Sequence, residues 1–124
     1  MVRFLSLEWI AALDVAAGEA TVPAGVRLTI QQIVTDGDDD VRYHLVLDEG
    51  RLRIVPGEAA APDVTLIQTR EVAVALSRGE LNAQQALEAG RLKLRGDIGH
   101  LAREGKGLSA MEDVFAAVRA DTAY

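Results

Sequence analysis

The chain has 124 residues, no cysteine and a net charge of −6. That length suits one domain with one real core, and without cysteine there is no disulfide, thiol nucleophile or cysteine-ligated metal. Hydrophobic residues at 49% and charged residues at 26% are those of an ordinary folded domain, and the acidic balance argues against a duplex DNA binder. Aromatic residues make up only 4%, too few for a single-strand base-stacking platform. No apolar run approaches the ~18 residues of a membrane span. The opening MVRFLSLEW lacks an apolar run of signal-peptide length and a small-residue cleavage site. The closing DTAY is not a retention or peroxisomal address, so the expected location is the cytoplasm.

Ser6 reads as the N-cap of a first helix, with Leu5 and Ile10 placed for a hydrophobic staple. Trp9, Ile10, Leu13 and Ala17 share one face, and Gly18 stops the helix. Val26–Thr35 reads as a strand with Leu28, Ile30, Gln32 and Val34 on one face. Ile33 falls on the other face, which points to a bulge near Gln31–Gln32 or a shifted register. An acidic loop, Asp36–Asp40, follows. Val41–Asp48 and Arg51–Val55 form a hairpin across Glu49–Gly50, which sets Leu47 opposite Leu52 and Leu45 opposite Ile54, with Tyr43 on the same face. Arg42, His44, Asp48, Arg51 and Arg53 take the other face.

Asp63–Thr69 is a fourth strand, and Arg70–Arg78 a helix stopped by Gly79, with Val72, Ala75 and Leu76 on its apolar face. Asn82 caps a short helix through Ala89. Arg91–Arg95 alternates into a fifth strand, with Leu92 and Leu94 on one side and Arg91, Lys93 and Arg95 on the other. Asp97 caps a helical stretch to about Glu104, and Gly105 and Gly107 form a flexible joint. Ser109 with Glu112 reads as the capping box of a last helix whose apolar side is Leu108, Met111, Phe115 and Val118. Strands first and helices later give an α+β domain spanning 1–124, a five-stranded, mainly antiparallel sheet covered on one face by helices.

Chemical motifs fail on inspection. Gly99 to Gly105-Lys106 has the wrong spacing for a phosphate loop and lacks the hydroxyl residue after the lysine. The segment Gly107–Met111 lacks the second glycine of a nucleophile elbow. Asp36, Asp38 and Asp40 have calcium-loop spacing, but Val41 and Leu47 stand where glycine and glutamate are required. His44 and Asp48 lie too far apart along one strand to pair. No metal, cofactor or catalytic residue is implied.

Residues 76–99, LSRGELNAQQALEAGRLKLRGDIG, resemble the signature region of the sterol carrier protein type 2 family through Gly79, Gln84, Ala86, Gly90, Leu92, Lys93, Gly96 and Asp97. The segment FLSLEWIAAL at 4–13 resembles the opening helix of actinobacterial-type members, and DVTL at 63–66 also fits. The likeness spans nearly the whole chain and implies a stand-alone domain. It implies an apolar tunnel between sheet and helices that carries a fatty acid, acyl-CoA, phospholipid or sterol without chemistry. The candidate walls are Leu28, Ile30, Tyr43, Leu45 and Leu47 from the sheet, and Leu76, Leu81, Leu87, Met111, Phe115 and Val118 from the helices. Gln84 is the candidate for orienting a headgroup. Each apolar name also fits plain core packing, and Gln84 also fits a backbone-satisfied helix start. Leu87 departs from the family, whose members commonly carry Phe there.

The resemblance implies a hydrophobic small-molecule partner; separately, Arg91, Lys93 and Arg95, with Arg51 and Arg53, form a basic stripe that fits a solvated sheet face better than transient contact with a membrane surface, and the expected state is a monomer or homodimer. Two other functions fit the same residues. One is an enzyme or biosynthetic accessory using the cavity, for which Gln32, Tyr43, His44 and Gln84 are the available polar groups. The other is a dimerising interaction module with a closed core. The glycines at 105 and 107 would let the last helix act as a lid.

Overall fold

The computed structural model describes residues 1–20, 22–103 and 106–124, and of residues 106–110 the backbone alone. In chain order the elements are β1 (Val2–Arg3), α1 (Leu7–Ala17), β2 (Leu28–Asp36), β3 (Asp39–Asp48), β4 (Arg51–Pro56), β5 (Val64–Thr69), α2 (Arg70–Arg78), α3 (Ala83–Glu88), β6 (Lys93–Gly96), α4 (Ile98–Arg103), α5 (Lys106–Val118), a 3₁₀ turn (Arg119–Asp121) and β7 (Thr122–Ala123). Local chemistry sets many of the boundaries. The Ser6 hydroxyl accepts from the Trp9 N–H, Thr69 from Val72, and Asn82 and Gln85 form a reciprocal capping box. Gly79 ends α2 in the left-handed region at φ 76°, where a side chain is disfavoured.

The main sheet has the strand order β4-β3-β2-β5-β6. Its β2–β5 pair is parallel and the other neighbours are antiparallel. The predicted hairpin register is realised, with Leu47 opposite Leu52 and Leu45 opposite Ile54. The bulge expected near Gln31–Gln32 is absent. β2 pairs without interruption from Leu28 to Asp36, so Gln32 stays on the core face and Ile33 on the outer one. The expected acidic loop contracts to a turn at Gly37–Asp38, because Asp36 already pairs with Asp39.

The connection from β4 to β5 crosses the outer face of the sheet. Gln31 pins it there: its amide nitrogen lies 3.3 Å from the Gly57 carbonyl and 3.1 Å from that of Tyr43. Its Oε1 accepts from the Ala59 N–H at 2.7 Å. The helices take the other face. Trp9, Ile10, Leu13 and Ala17 of α1 are all buried, as the periodicity predicts. Arg53 and Asp14 tie α1 to the edge strand β4, and Asp14 also accepts the Ile54 N–H at 2.9 Å, occupying a free edge amide. The Arg53 hydrogen bond, helped by the one from Ile54, holds the Asp14 carboxyl below the usual carboxylate range despite its partial burial.

Three expectations are corrected toward the C-terminus. Helix α5 begins at Lys106, so Ser109 lies inside it and is not its N-cap, and Gly107 is helical. Glu104 and Gly105 lie outside the described residues, as do the side chains of Leu108 and Ser109. In α2, Val72, Ala73 and Ser77 are the buried residues and Ala75 is not. The chain ends also meet: β1 and β7 pair in parallel, two residues each, and bring Phe4 against Tyr124 at 4.9 Å between ring centres. Among the described residues no helix is long and apolar enough to cross a membrane.

Candidate ligand cavity

The core face of the sheet is not evenly filled. The rows Leu28–Leu47 and Ile30–Leu45 are sealed, each residue at most 2% exposed. The next row, Tyr43–Gln32–Leu66, is where the wall of a cavity of about 300 Å³ begins. Phe4, Trp9, Gln68, Ala73, Ser77, Ala83, Leu92, Met111 and Phe115 complete its buried lining. Exposed Gly79, Asn82, Glu112 and Asp113, with half-buried Leu81 and Arg119, form its rim.

The few aromatic residues concentrate here. Phe4 meets Trp9 edge-on at 4.8 Å, Trp9 meets Tyr43 edge-on at 5.7 Å, and Trp9 stacks with Phe115 at 6.1 Å. These four rings line the cavity. Burial pushes the Tyr43 phenol well above its ordinary pKa, so it stays protonated at any physiological pH.

The polar groups follow one logic. Gln32 and Gln68 are the buried amides of the lining, 1% and 7% exposed. The Gln32 amide N–H donates to the Met111 Sδ at 3.3 Å, and the Gln68 amide N–H donates to Gln32 Oε1 at 2.8 Å. A thioether only accepts, so Met111 fixes the orientation of Gln32, and Gln32 fixes that of Gln68. The chain of donors ends at Gln68 Oε1. That oxygen and the Trp9 indole N–H are buried without a hydrogen-bond partner among the described residues. An unpaired buried polar group costs about 1–3 kcal/mol. At the rim, Arg119 Nε donates to the Ser77 carbonyl at 2.8 Å, and the guanidinium lies over Gly79. The Ser77 hydroxyl meets the Tyr124 hydroxyl at 2.7 Å.

Of the sequence-predicted wall, Tyr43, Leu76, Leu81, Met111 and Phe115 come together around this cavity. Leu28, Ile30, Leu45 and Leu47 do not line it, because they belong to the sealed rows. Val118 instead lines a second hollow, with Val2, Ala12 and Thr122. Helix α3 turns Ala83 and Ala86 inward, which leaves Gln84 exposed and bonded to Glu88 at 3.2 Å. Leu87 is half-buried against the core and does not line the cavity. His44 and Gln84, two of the four polar groups considered for chemistry, also lie outside it. His44 sits instead beside the Gly57 carbonyl at 3.0 Å. Among the lining residues that sequence reasoning missed are Phe4, Trp9, Leu66, Gln68, Ala73, Ser77, Ala83, Leu92 and Arg119. Gln68 had a signal: it occupies the inward position after Val64 and Leu66 in a period-two strand.

Comparison with solved structures gives the same fold in several proteins. The conserved hypothetical protein TT1886 from Thermus thermophilus is 20% identical, with a TM-score of 0.75 over 93% of this chain and 89% of that one. Palmitated SCP2L2 from Aedes aegypti is 24% identical, with a TM-score of 0.64 over 83% of this chain and 94% of that one. The sec-alkylsulfatase Pisa1 from a Pseudomonas species contains a similar unit, 24% identical at a TM-score of 0.51, covering 65% of this chain and 13% of the enzyme. No curated protein sequence matches. The model of the SCP-2 sterol transfer family matches residues 13–106, and the chain belongs to that family.

Proposed function

We propose that this domain binds and carries a hydrophobic ligand in the cavity between its sheet and helices, without chemical conversion. The observation that supports this most directly is the cavity itself: an aromatic and aliphatic lining opening at a polar rim. Family membership agrees with it. A cavity of half this volume holds a benzene ring, so about 300 Å³ accommodates about a dozen carbons. Burying them contributes about 10 kcal/mol at ~0.8 kcal/mol per methylene. Association costs of about 4 kcal/mol or more leave a Kd of tens of micromolar or weaker. The size favours a medium acyl chain, or the end of a longer one, over a fully enclosed sterol. The exposed basic stripe Arg91, Lys93 and Arg95 flanks Leu92 of the cavity wall and suits contact with anionic headgroups during loading.

The test is native mass spectrometry of the purified protein, followed by titration with medium-chain fatty acids. The chain has a single tryptophan, and it lines the cavity, so Trp9 emission reports filling directly. Discrete adducts that extract as aliphatic compounds, with a saturable change in Trp9 emission, are the expected result. A protein that stays free of adducts with fatty acids, acyl-CoA and sterols, and whose emission does not respond, overturns carriage.

A further inference from the structure

We infer that Arg119 anchors an anionic head group at the mouth of the cavity, so that the ligand carried is an amphiphile with its hydrocarbon inward and a carboxylate or phosphate outward. This rests on the carriage reading and deepens it. Arg119 is the one cation among the described residues of the lining, and it is half-buried at the rim. Its guanidinium is held from two sides. Nε donates to the Ser77 carbonyl at 2.8 Å, near the C-terminal end of α2. The point that a Cβ on Gly79 would occupy lies 3.0 Å from Nη2, 3.2 Å from Cζ and 3.3 Å from Nη1. Such similar distances mean that the flat face of the guanidinium, and not its Nη edge, meets the glycine. Gly79 is itself exposed and part of the rim, so the cation stands at the opening and not in the core.

The donors left over match an anion. With Nε spent on Ser77, the two Nη groups keep their N–H bonds, and among the described residues they have no hydrogen-bond acceptor and no carboxylate within ion-pair distance. The cations of α2 differ. Arg78 pairs with Glu80 at 3.7 Å and lies over the Tyr124 ring, and Arg70 reaches Asp36 at 4.0 Å and lies over Phe4. A planar fork with two free NH₂ groups fits two oxygens of a carboxylate or phosphate. Half-burial beside an apolar wall makes that pair stronger than a fully exposed one. Phe115, one helical turn before Arg119, belongs to that wall, so head and chain have adjoining seats. The rim also carries Glu112 and Asp113. They precede Arg119 by about 10 and about 9 Å along the axis at the rise of a helix. Those spacings exceed the screening length of ~8 Å at physiological salt, so the two acids oppose a head seated on Arg119 only weakly.

The experiment titrates the protein with decanoic acid, decyl phosphate and decanol, all below their micellar concentrations, and reads Trp9 emission. The three share one chain and differ in the head. At least one of the two anions is expected to bind the wild type about ten-fold tighter than decanol, and the tighter of the two identifies the head. In Arg119→Met that preference disappears, while decanol binds within about two-fold of its wild-type affinity. If Arg119→Met does not fold, the wild-type protein decides alone: the Arg119 Nε–H resonance must move with the favoured anion and stay in place with decanol. Decanol binding as tightly as both anions, a preference for the anion that survives Arg119→Met, an equal loss of all three ligands in Arg119→Met, or an unmoved Arg119 resonance overturns this inference and leaves carriage intact. Absence of binding by all three overturns both.

Discussion

Replacing Ala73 by leucine sends three additional carbons from α2 toward the cavity, and the sign of the stability change tells whether that space is open. Ala73 is 7% exposed, lines the cavity and lies within a helix, where leucine is well tolerated. Three buried carbons contribute about 2.4 kcal/mol at ~0.8 kcal/mol each. Ordering the leucine side chain costs about 0.5–1 kcal/mol. The expected net gain is therefore about 1–2 kcal/mol, or a rise in Tm of about 3–8 °C for a domain of this size. The three carbons occupy about 75 Å³ if a benzene ring fills ~150 Å³, which is a quarter of the cavity. The longest fatty acid bound at full affinity should shorten by about three carbons. Urea unfolding with Trp9 emission gives the first number, and a chain-length series gives the second. In a core already packed to density the same substitution is expected to cost about 1–3 kcal/mol. A destabilised Ala73→Leu protein would mean that the sheet and helices enclose no usable space.

Two further substitutions test the frame. Gly96 has φ +103°, and a Cβ there would sit 2.4 Å from the Asp63 carbonyl oxygen, so Gly96→Ala should cost more than about 3 kcal/mol, read as a lowered urea midpoint or loss of soluble protein. Wild-type stability from Gly96→Ala would show that β6 is not seated on β5 as described. Asp14→Asn addresses pH. The Asp14 carboxyl is lowered in the folded state, so its contribution is fully present above the unfolded value of about 4 and is lost as pH falls through the folded value. The stability gap between wild type and Asp14→Asn should be constant from neutral pH to about pH 5 and should close on further acidification. A gap that widens in acid would contradict the Arg53 and Ile54 contacts as its cause.

The legible parts of the chain were those where a short-range rule decides alone. Ser6, Asn82 and Gly79 mark helix ends because a side-chain cap or a left-handed residue acts within four positions. The β3–β4 register followed from alternation across a two-residue turn. The start of α5 escaped because Ser109 followed by Glu112 has the spacing of a capping box wherever it falls, and here it falls inside a helix. The β1–β7 pair escaped because two-residue strands from opposite chain ends have no period to detect. The cavity was only half legible. Leu28, Ile30, Leu45 and Leu47 have the same inward pattern as Tyr43, and alternation assigns a face without saying which row of that face meets helices and which meets open space. Gln84 was drawn in by its polarity within a family-like segment, while the three-residue step from Ala83 to Ala86 shows that α3 turns it outward.

The apparent misfit at Gln31–Gln32 connects topology to the cavity. Strand alternation sends the two glutamines to opposite faces of β2. Gln31 faces outward and holds the β4–β5 crossover through Gly57 and Ala59. That crossover delivers β5 to the free side of β2, in parallel, with Leu66 opposite Gln32 and Gln68 opposite Val34. Only in that register does Gln68 reach Gln32 across the core face. A slip of β5 by one residue would turn Val64, Leu66 and Gln68 outward, bring Thr65, Ile67 and Thr69 inward, and leave Gln32 Oε1 without its donor. The observed register is therefore held on both faces, by Val64, Leu66 and the Gln68–Gln32 bond on the core side and by Gln31 and the crossover on the other.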